Sequence, residues 1–135
     1  MVFNTSTLVA MANVQISLTD REAEFMQVLW ECGPSTVAEV RAQLTGNPAY
    51  TTVLSILRIL ETKGFVTHAE EGRAHRYSAR LGLEAAQRGA LRALLHKLYR
   101  GSRTLLLTQL VSDQKLTPEE IRRIRALLNT RVPKA

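Results

Sequence analysis

The chain has 135 residues, of which 45% are hydrophobic and 22% are charged, and its formal net charge is +6. This composition excludes a disordered chain and predicts one ordinary globular core, or a small domain with an assembly element. No apolar run approaches the ~20 residues of a membrane-spanning helix, and the single cysteine, Cys32, excludes an intramolecular disulfide. We therefore expect a cytoplasmic protein without a membrane partner.

The first 15 residues are predicted to form a flexible N-terminal extension. They are mildly apolar, but they lack the basic start and the long uninterrupted core of a signal peptide. Both Met1 and Met11 are candidates for the natural start.

The next part of the chain carries the signals of three helices. The first helix begins at a capping box formed by Thr19 and Glu22 and ends before Gly33-Pro34. The second follows directly and is broken by the Gly-Asn-Pro triplet at residues 46–48. The third runs from about Tyr50 to Lys63, and its helical spacing turns four apolar side chains inward: Val53, Ile56, Leu57 and Leu60.

Two short strands are predicted after the third helix. Beyond Gly64 the pattern alternates, and a turn at Glu70–Arg73 separates the strands. The alternating positions are Val66, His68, His75 and Tyr77. A helix–turn–helix followed by a hairpin predicts a winged-helix DNA-binding domain over residues 16–80.

The remainder, residues 81–135, is predicted to be a three-helix dimerisation domain. One helix covers Leu83 to Leu98, a short apolar one covers Thr104–Val111, and a third begins at Thr117-Pro118. Three short helices this rich in leucine would struggle as an independent monomeric fold, so we expect a second copy to cover them. The predicted dimerisation residues are Leu91, Leu94, Leu95, Leu98, Leu105, Leu106, Leu110, Ile121, Ile124 and Leu128.

The third helix and the hairpin carry the predicted DNA contacts. In a helix–turn–helix, the second helix of the motif enters the major groove with its N-terminal end first. Short hydroxyl side chains allow close approach to phosphates and base edges, and arginine reaches guanine or phosphate. The predicted contacts are Ala49, Tyr50, Thr51, Thr52, Ser55 and Arg58 on the helix, with Arg73 and Arg76 in the hairpin.

Each of these contacts has a simpler structural alternative. Thr51 and Thr52 could cap the helix while Tyr50 packs on the core, and Arg76 could be a solvated charge on an edge strand. Acidic residues at positions 70 and 71 would repel phosphate unless they point away from it.

The charge distribution favours a second kind of function. Residues 1–80 hold seven lysines and arginines against eight acids, whereas residues 81–135 hold 11 against four. The basic excess therefore lies outside the predicted reading domain. The alternative is a winged-helix protein-interaction module without sequence-specific DNA binding.

Catalysis has little support in the sequence. The three histidines are scattered, and neither a glycine-rich phosphate loop nor a nucleophile elbow is present. His68 and His75 could face each other across the hairpin and bind a metal, but two ligands rarely suffice, and half-buried strand histidines explain them better. We predict no enzyme activity, no catalytic or metal site and no cofactor.

These motifs together resemble the penicillinase-repressor (BlaI/MecI/CopY) family of winged-helix transcriptional regulators. The resemblance covers roughly Ile16 to Leu128. The residues that carry it are Leu18-Thr19, Met26…Val28-Leu29-Trp30, Ala49-Tyr50-Thr51-Thr52-Val53, Leu60…Lys63-Gly64-Phe65-Val66, Gly72-Arg73…Tyr77, Gly101…Leu106 and Leu116-Thr117…Glu120.

The resemblance implies a homodimeric repressor that binds a palindromic operator in double-stranded DNA. It also implies an unidentified inactivating protease or sensor as a partner. The family's cleavable Asn–Phe bond corresponds to Gln109-Leu110 here, and the C-terminal cysteine cluster of copper-responsive relatives is absent. We therefore predict a mainly α fold with a small β-hairpin wing, in a dimeric repressor whose recognition helix lies in the major groove and whose wing lies on the flanking backbone.

Overall fold

A computed structural model describes residues 16–113 and 115–131. This part of the chain contains six helices and three strands, in the order α1 (Asp20–Cys32), β1 (Ser35–Thr36), α2 (Val37–Gln43), α3 (Tyr50–Thr62), β2 (Val66–Glu71), β3 (Ala74–Ala79), α4 (Leu83–Leu98), α5 (Arg103–Asp113) and α6 (Pro118–Arg131). The predicted fold class, a mainly α winged helix, is confirmed. The predicted extension, residues 1–15, and both candidate start residues lie outside the described residues.

The described residues fall into two compact units that divide between Ala93 and Leu94, within α4. The first unit contains the helix–turn–helix, the sheet and most of α4. The sequence-based boundary between residues 80 and 81 divides a DNA-binding domain from a dimerisation domain. This division by function stays a prediction.

Local signals fix the ends of the first helices. Thr19 Oγ1 accepts a hydrogen bond from the Glu22 amide at 3.1 Å, and Glu22 Oε1 accepts one from the Thr19 amide at 2.8 Å. This reciprocal pair satisfies two amides that the helix leaves unpaired. At the other end, Gly33 adopts a φ of +77°, a conformation that glycine reaches without steric cost. The hydroxyl of Thr36 caps α2 by accepting a hydrogen bond from the Glu39 amide at 3.2 Å.

The wing is part of a three-stranded antiparallel sheet in the order β1-β3-β2. The sequence did not predict β1, which pairs Ser35 with Tyr77. The hairpin turn is also tighter than predicted, because β2 continues to Glu71 and only Gly72 and Arg73 connect the strands. Gly72 has a φ of +62°, which a two-residue loop with glycine first requires.

The core of the first unit lies between α1, α2, α3 and the sheet. The inward positions predicted on α3 are buried, except that Ile56 is only partly so. Trp30 at the edge of this core donates its indole N–H to the Leu81 carbonyl at 2.8 Å. The buried apolar residues are Ile16, Phe25, Met26, Val28, Leu29, Val37, Val40, Leu44, Val53, Leu57, Leu60, Val66, Tyr77, Leu81 and Ala86.

An ion pair joins the start of α1 to the end of α3. Lys63 Nζ lies 2.7 Å from Oε2 of the buried Glu22. Burial acts to raise the pKa of Glu22, but hydrogen bonds from Lys63 and Thr19 outweigh it, so the pKa lies below its ordinary value. The stability that this carboxylate contributes is therefore present above its unfolded-state pKa and is lost as the pH falls through the folded-state pKa.

Gly89→Ala should destabilise the first unit, although alanine is the better helix former. Gly89 is buried in α4, and an added Cβ would lie 2.8 Å from Ile16 Cδ1 and 2.9 Å from Ile16 Cβ. Alanine normally gains about 0.5–1 kcal/mol over glycine in a helix interior, whereas overpacking costs about 1–3 kcal/mol. Because Ile16 is itself buried, we expect a net loss of about 1 kcal/mol in the free energy of unfolding, measured by denaturant titration.

Gly82→Ala, just before α4, is the control for an added methyl group that meets no neighbour. An added Cβ at Gly82 meets nothing within 4 Å. A Gly89→Ala protein as stable as the wild type would contradict the expected clash with Ile16.

The second unit contains the end of α4 together with α5 and α6. Thr117 and Glu120 form a second capping box at the start of α6, with both hydrogen bonds at 3.1 Å. The Tyr99 hydroxyl donates to Gln109 Oε1 at 2.8 Å and so ties the segment after α4 to α5. None of the helices in the described part of the chain is both long and apolar enough to cross a membrane.

Candidate nucleic-acid interface

The N-terminal end of α3 presents an open polar surface. Ala49 is the N-cap of α3, and no side chain caps this end of the helix. Thr51 and Thr52 are exposed and lie inside the first turn, after the N-cap, and neither side chain caps the helix. Tyr50 is 49% exposed, so its ring is not part of the core. Capping by the two threonines and core packing by Tyr50, the alternatives considered from the sequence, are therefore not observed at these residues.

One turn further on, Ser55 and Arg58 continue this surface. Ser55 Oγ donates to the Thr51 carbonyl at 2.9 Å, which uses its proton and leaves its lone pairs available as acceptors. Arg58 is exposed and forms no ion pair within residues 16–113 and 115–131.

The two arginines of the wing have different surroundings. Arg73 lies exposed in the two-residue turn and has no ion-pair partner in the described part of the chain. The guanidinium of Arg76 instead binds the Glu71 carboxylate, the Pro34 carbonyl at 3.0 Å and, more weakly, Glu39 at 3.4 Å. A DNA contact by Arg76 stays a prediction, and in the free protein this side chain holds β3 against the segments on either side.

The Arg76–Glu71 pair also changes the electrostatics of the wing. The hydrogen bond from Arg76 holds the pKa of Glu71 below its ordinary value, and the pKa of Arg76 is raised in turn. The charge of Glu71 is thus balanced inside the wing. The repulsion of phosphate that the sequence suggested for Glu71 is therefore offset by Arg76.

A recess of about 190 Å³ lies between α3 and the wing. It brings together three of the predicted contacts, Tyr50 and Arg58 from α3 and Arg73 from the turn. His75, which the sequence did not single out as a DNA contact, lines the same recess. The remaining lining residues are apolar: Val37 and Leu54.

Alternation along β3 explains which side chains reach this recess. His75 and Tyr77 share one face of the strand, and Arg76 lies on the other. The predicted contacts at the front of α3 do not line the recess but lie on the open surface beside it: Ala49, Thr51, Thr52 and Ser55.

The two strand histidines lie together, as the alternating pattern predicted. Their rings stack with centroids 4.5 Å apart and planes 15° apart. His68 Nδ1 lies 2.6 Å from Glu61 Oε2 on α3. Behind them, burial raises the pKa of Tyr77, and the charge of Glu61 raises it further. Among the described residues, no group of three or more histidine, cysteine or acidic side chains is arranged to hold a metal ion.

Most of the predicted dimerisation residues are exposed apolar side chains. Seven of them are between 37% and 69% exposed: Leu91, Leu94, Leu98, Leu105, Leu110, Ile121 and Leu128. Leu95, Leu106 and Ile124 are partly buried. Gln109 and Leu110 are exposed residues of α5, and their correspondence to a cleavable bond stays a prediction. The pairing of these surfaces stays a prediction.

Comparison with known proteins identifies the family. The family model described as penicillinase repressor matches residues 18–130. The chain belongs to the penicillinase repressor family. As a member of this family of regulators, it is a DNA-binding transcriptional regulator and not an enzyme, and the resemblance seen in the sequence is confirmed.

One sequence relative and two solved structures show low sequence identity to this chain. The methicillin resistance regulatory protein MecI of Staphylococcus aureus is 22% identical over 123 residues, which cover 88% of this chain and 98% of that protein. A MarR family protein from Bacillus stearothermophilus is 20% identical, with a TM-score of 0.47 over 85% of this chain and 73% of that one. MepR, a transcription regulator of the Staphylococcus aureus multidrug efflux pump MepA, is 17% identical, with a TM-score of 0.45 over 95% of this chain and 96% of that one.

Proposed function

We propose that the chain is a dimeric transcriptional repressor that binds an inverted-repeat operator. In this proposal α3 enters the major groove, the wing lies on the flanking backbone, and the second unit joins two protomers. The observation that carries the proposal is the exposed front of α3, where three hydroxyl side chains surround a helix end without a side-chain cap: Thr51, Thr52 and Ser55.

The chemistry of this front suits base readout. Hydroxyl groups donate to and accept from base edges, and the threonine methyl group packs against the methyl group of thymine. The first amides of α3 lack a side-chain cap, which leaves them able to donate to a phosphate. Arg58 extends the same surface with a charge that reaches guanine or phosphate.

The wing supports a contact with the backbone rather than with bases. Arg73 lies at its tip with no ion-pair partner among the described residues, so it keeps a full charge available for phosphate. Phosphate contacts fix the position of a protein on DNA without reading sequence.

The exposed leucines of the second unit support a two-fold dimer. A single chain that exposes this much apolar surface gains free energy by covering it with a second copy. A two-fold dimer presents two copies of α3 to major grooves about 34–36 Å apart, which is one helical turn of DNA. The expected operator is therefore palindromic. An inactivating protease or sensor is proposed on the resemblance only.

Selection of binding sites from random duplex DNA, at two salt concentrations, tests the proposal. A two-fold symmetric motif that is enriched at both salts is the expected result. Binding without any motif, lost at moderate salt, would leave only non-specific electrostatics. The net charge of residues 1–80 would then favour the protein-interaction alternative.

Substitutions on α3 and on the wing should have different effects on DNA binding. Thr52→Ala and Ser55→Ala should relax base preference by about 1 kcal/mol or more at the contacted position. Arg73→Ala should instead weaken all sequences similarly and reduce the salt dependence of log K by about 0.9 per protomer. Binding titrations on the selected operator and on single-base variants, at several salt concentrations, measure both effects.

Matched controls exist for each class of substitution. Thr62 lies at the far end of α3, and its hydroxyl donates to the Arg58 carbonyl as that of Ser55 does to Thr51. Thr62→Ala should therefore leave base preference unchanged. Arg122→Ala removes an equal charge from exposed α6 and should not alter the salt dependence. Equal losses on every sequence for all variants would contradict this division between α3 and wing.

A further inference from the structure

We propose that the recess between α3 and the wing binds a DNA phosphate, and that His75 is a phosphate ligand there beside Arg58 and Arg73. This inference rests on the proposed function and deepens it, because it adds a residue to the DNA contact surface. It makes DNA binding depend on pH near neutrality.

The recess collects positive charge from separate elements without a matching acid. Arg58 comes from α3 and Arg73 from the turn, and neither forms an ion pair in the described part of the chain. No aspartate or glutamate lines the recess. Two guanidinium groups that converge in this way repel each other, and an anion between them turns the repulsion into attraction.

The chemistry of the lining fits a phosphate in particular. Arginine presents a planar fork of donors that matches phosphate oxygens. The exposed Tyr50 adds a hydroxyl donor at the same opening. A protonated imidazole of His75 adds a further charged donor.

The His75 ring is positioned by stacking against His68. His68 is in turn held by Glu61 at 2.6 Å. The His75 ring therefore packs against His68, and it lines the recess.

Several titratable or charged groups from β2, α3 and the hairpin face His75. From β2 these are His68 and Glu70, the latter opposite His75 in the strand register. From α3 they are Glu61, which is engaged by His68, together with Arg58 and Tyr50. Arg73 and the buried Tyr77 complete the set.

A phosphate in the recess favours the charged form of His75, so DNA binding takes up a proton there. Histidine is the side chain that changes charge between about pH 5 and 8, whereas a phosphodiester keeps its charge. DNA binding should therefore tighten as the pH falls.

The test compares His75 variants on a mixed-sequence duplex between about pH 6 and 8 at constant ionic strength. A mixed-sequence duplex is sufficient because a phosphate contact does not depend on base sequence. The wild type should bind at least about threefold more tightly at the lower pH. His75→Gln should lose this dependence, and His75→Arg should bind tightly at both pH values. Circular dichroism at each pH verifies that every variant is folded.

Three further variants and inorganic phosphate distinguish His75 from other sources of the pH dependence. His96→Gln, on the exposed part of α4, should behave as the wild type. Glu70→Gln should tighten binding at every pH, since it removes a negative charge near the recess. His68→Gln reports whether the proton is taken up by the neighbouring ring: the pH dependence should persist in this variant. Inorganic phosphate should perturb the His75 ring signals in NMR spectra only weakly, and much less than the duplex does.

Several results would overturn the inference. An unchanged pH dependence in His75→Gln would do so while the proposed function stands. Loss of the pH dependence in His68→Gln but not in His75→Gln would assign the proton to the other ring. Tight saturation by inorganic phosphate, with no further change on addition of the duplex, would make the recess a site for a free anion. A wild type that binds neither the mixed-sequence duplex nor a selected operator at any pH would overturn the proposed function as well.

Discussion

Leu57→Ala should lower the free energy of unfolding of the first unit by about 2–5 kcal/mol. Leu57 is fully buried on the inner face of α3, within the core that supports the proposed DNA-contact surface. Truncation removes its buried methyl and methylene groups and leaves a cavity that rigid neighbours fill only in part. Small domains are stable by only about 5–15 kcal/mol, so a loss of this size removes a large share of the total. Denaturant unfolding measures it.

Ile59→Ala is the matched control for this substitution. Ile59 lies on the same helix, loses the same number of carbon atoms on truncation and is 50% exposed. Its replacement should cost less than about 1 kcal/mol, because surface substitutions are usually small and alanine favours the helix. Equal losses for Leu57→Ala and Ile59→Ala would show that burial on α3 does not determine the stability of this unit.

The helices could be predicted well because their signals are local. The capping box of Thr19 and Glu22 places the start of α1, and the threonine-proline pair at 117–118 places the start of α6. Apolar spacing three and four residues apart then identifies the buried face of α3. Each of these signals is contained in a window of a few residues, which is the range over which backbone capping and helix periodicity act.

The features that were not predicted depend on contacts between distant segments. β1 has two residues, too few for any alternation, and it forms only because β3 lies beside it. Arg76 likewise meets Pro34 and Glu39, about forty residues earlier in the chain. No local pattern in the sequence predicts that the fold pairs Arg76 and leaves Arg73 without an ion-pair partner in the described part of the chain.

The same reason explains the position of His75. Alternation places His75 on the face of β3 that also carries Tyr77, and the sequence supports that much. The approach of Arg58 and Tyr50 from α3 is a matter of packing between helix and sheet. A histidine on the same strand face as Tyr77, close to the hairpin turn, is a signal that could have placed His75 among the candidates.

Leu98→Asp should convert the protein to a monomer and weaken binding to a palindromic operator by about 10²-fold or more. Leu98 is 69% exposed in the single chain, so the substitution leaves the protomer folded and acts on the contact with a second copy. A charge placed in an apolar interface loses its hydration without gaining a partner. The two half-sites then no longer bind as one unit. Sedimentation velocity at micromolar concentration measures the assembly, and titration with the selected operator measures the affinity.

Lys97→Gln provides a control for charge on this helix. Lys97 is the exposed neighbour of Leu98, and its replacement changes the net charge by the same amount, from +1 to 0 at that position. It should leave the protein dimeric, because lysine side chains at an interface rim contribute little to association. The Leu98→Asp and Lys97→Gln variants should bind DNA that contains a single half-site with similar affinity, since each protomer keeps its own α3 and wing. A wild type that sediments as a monomer at micromolar concentration, or a Leu98→Asp variant that stays dimeric, would contradict the assignment of these leucines to the dimer contact.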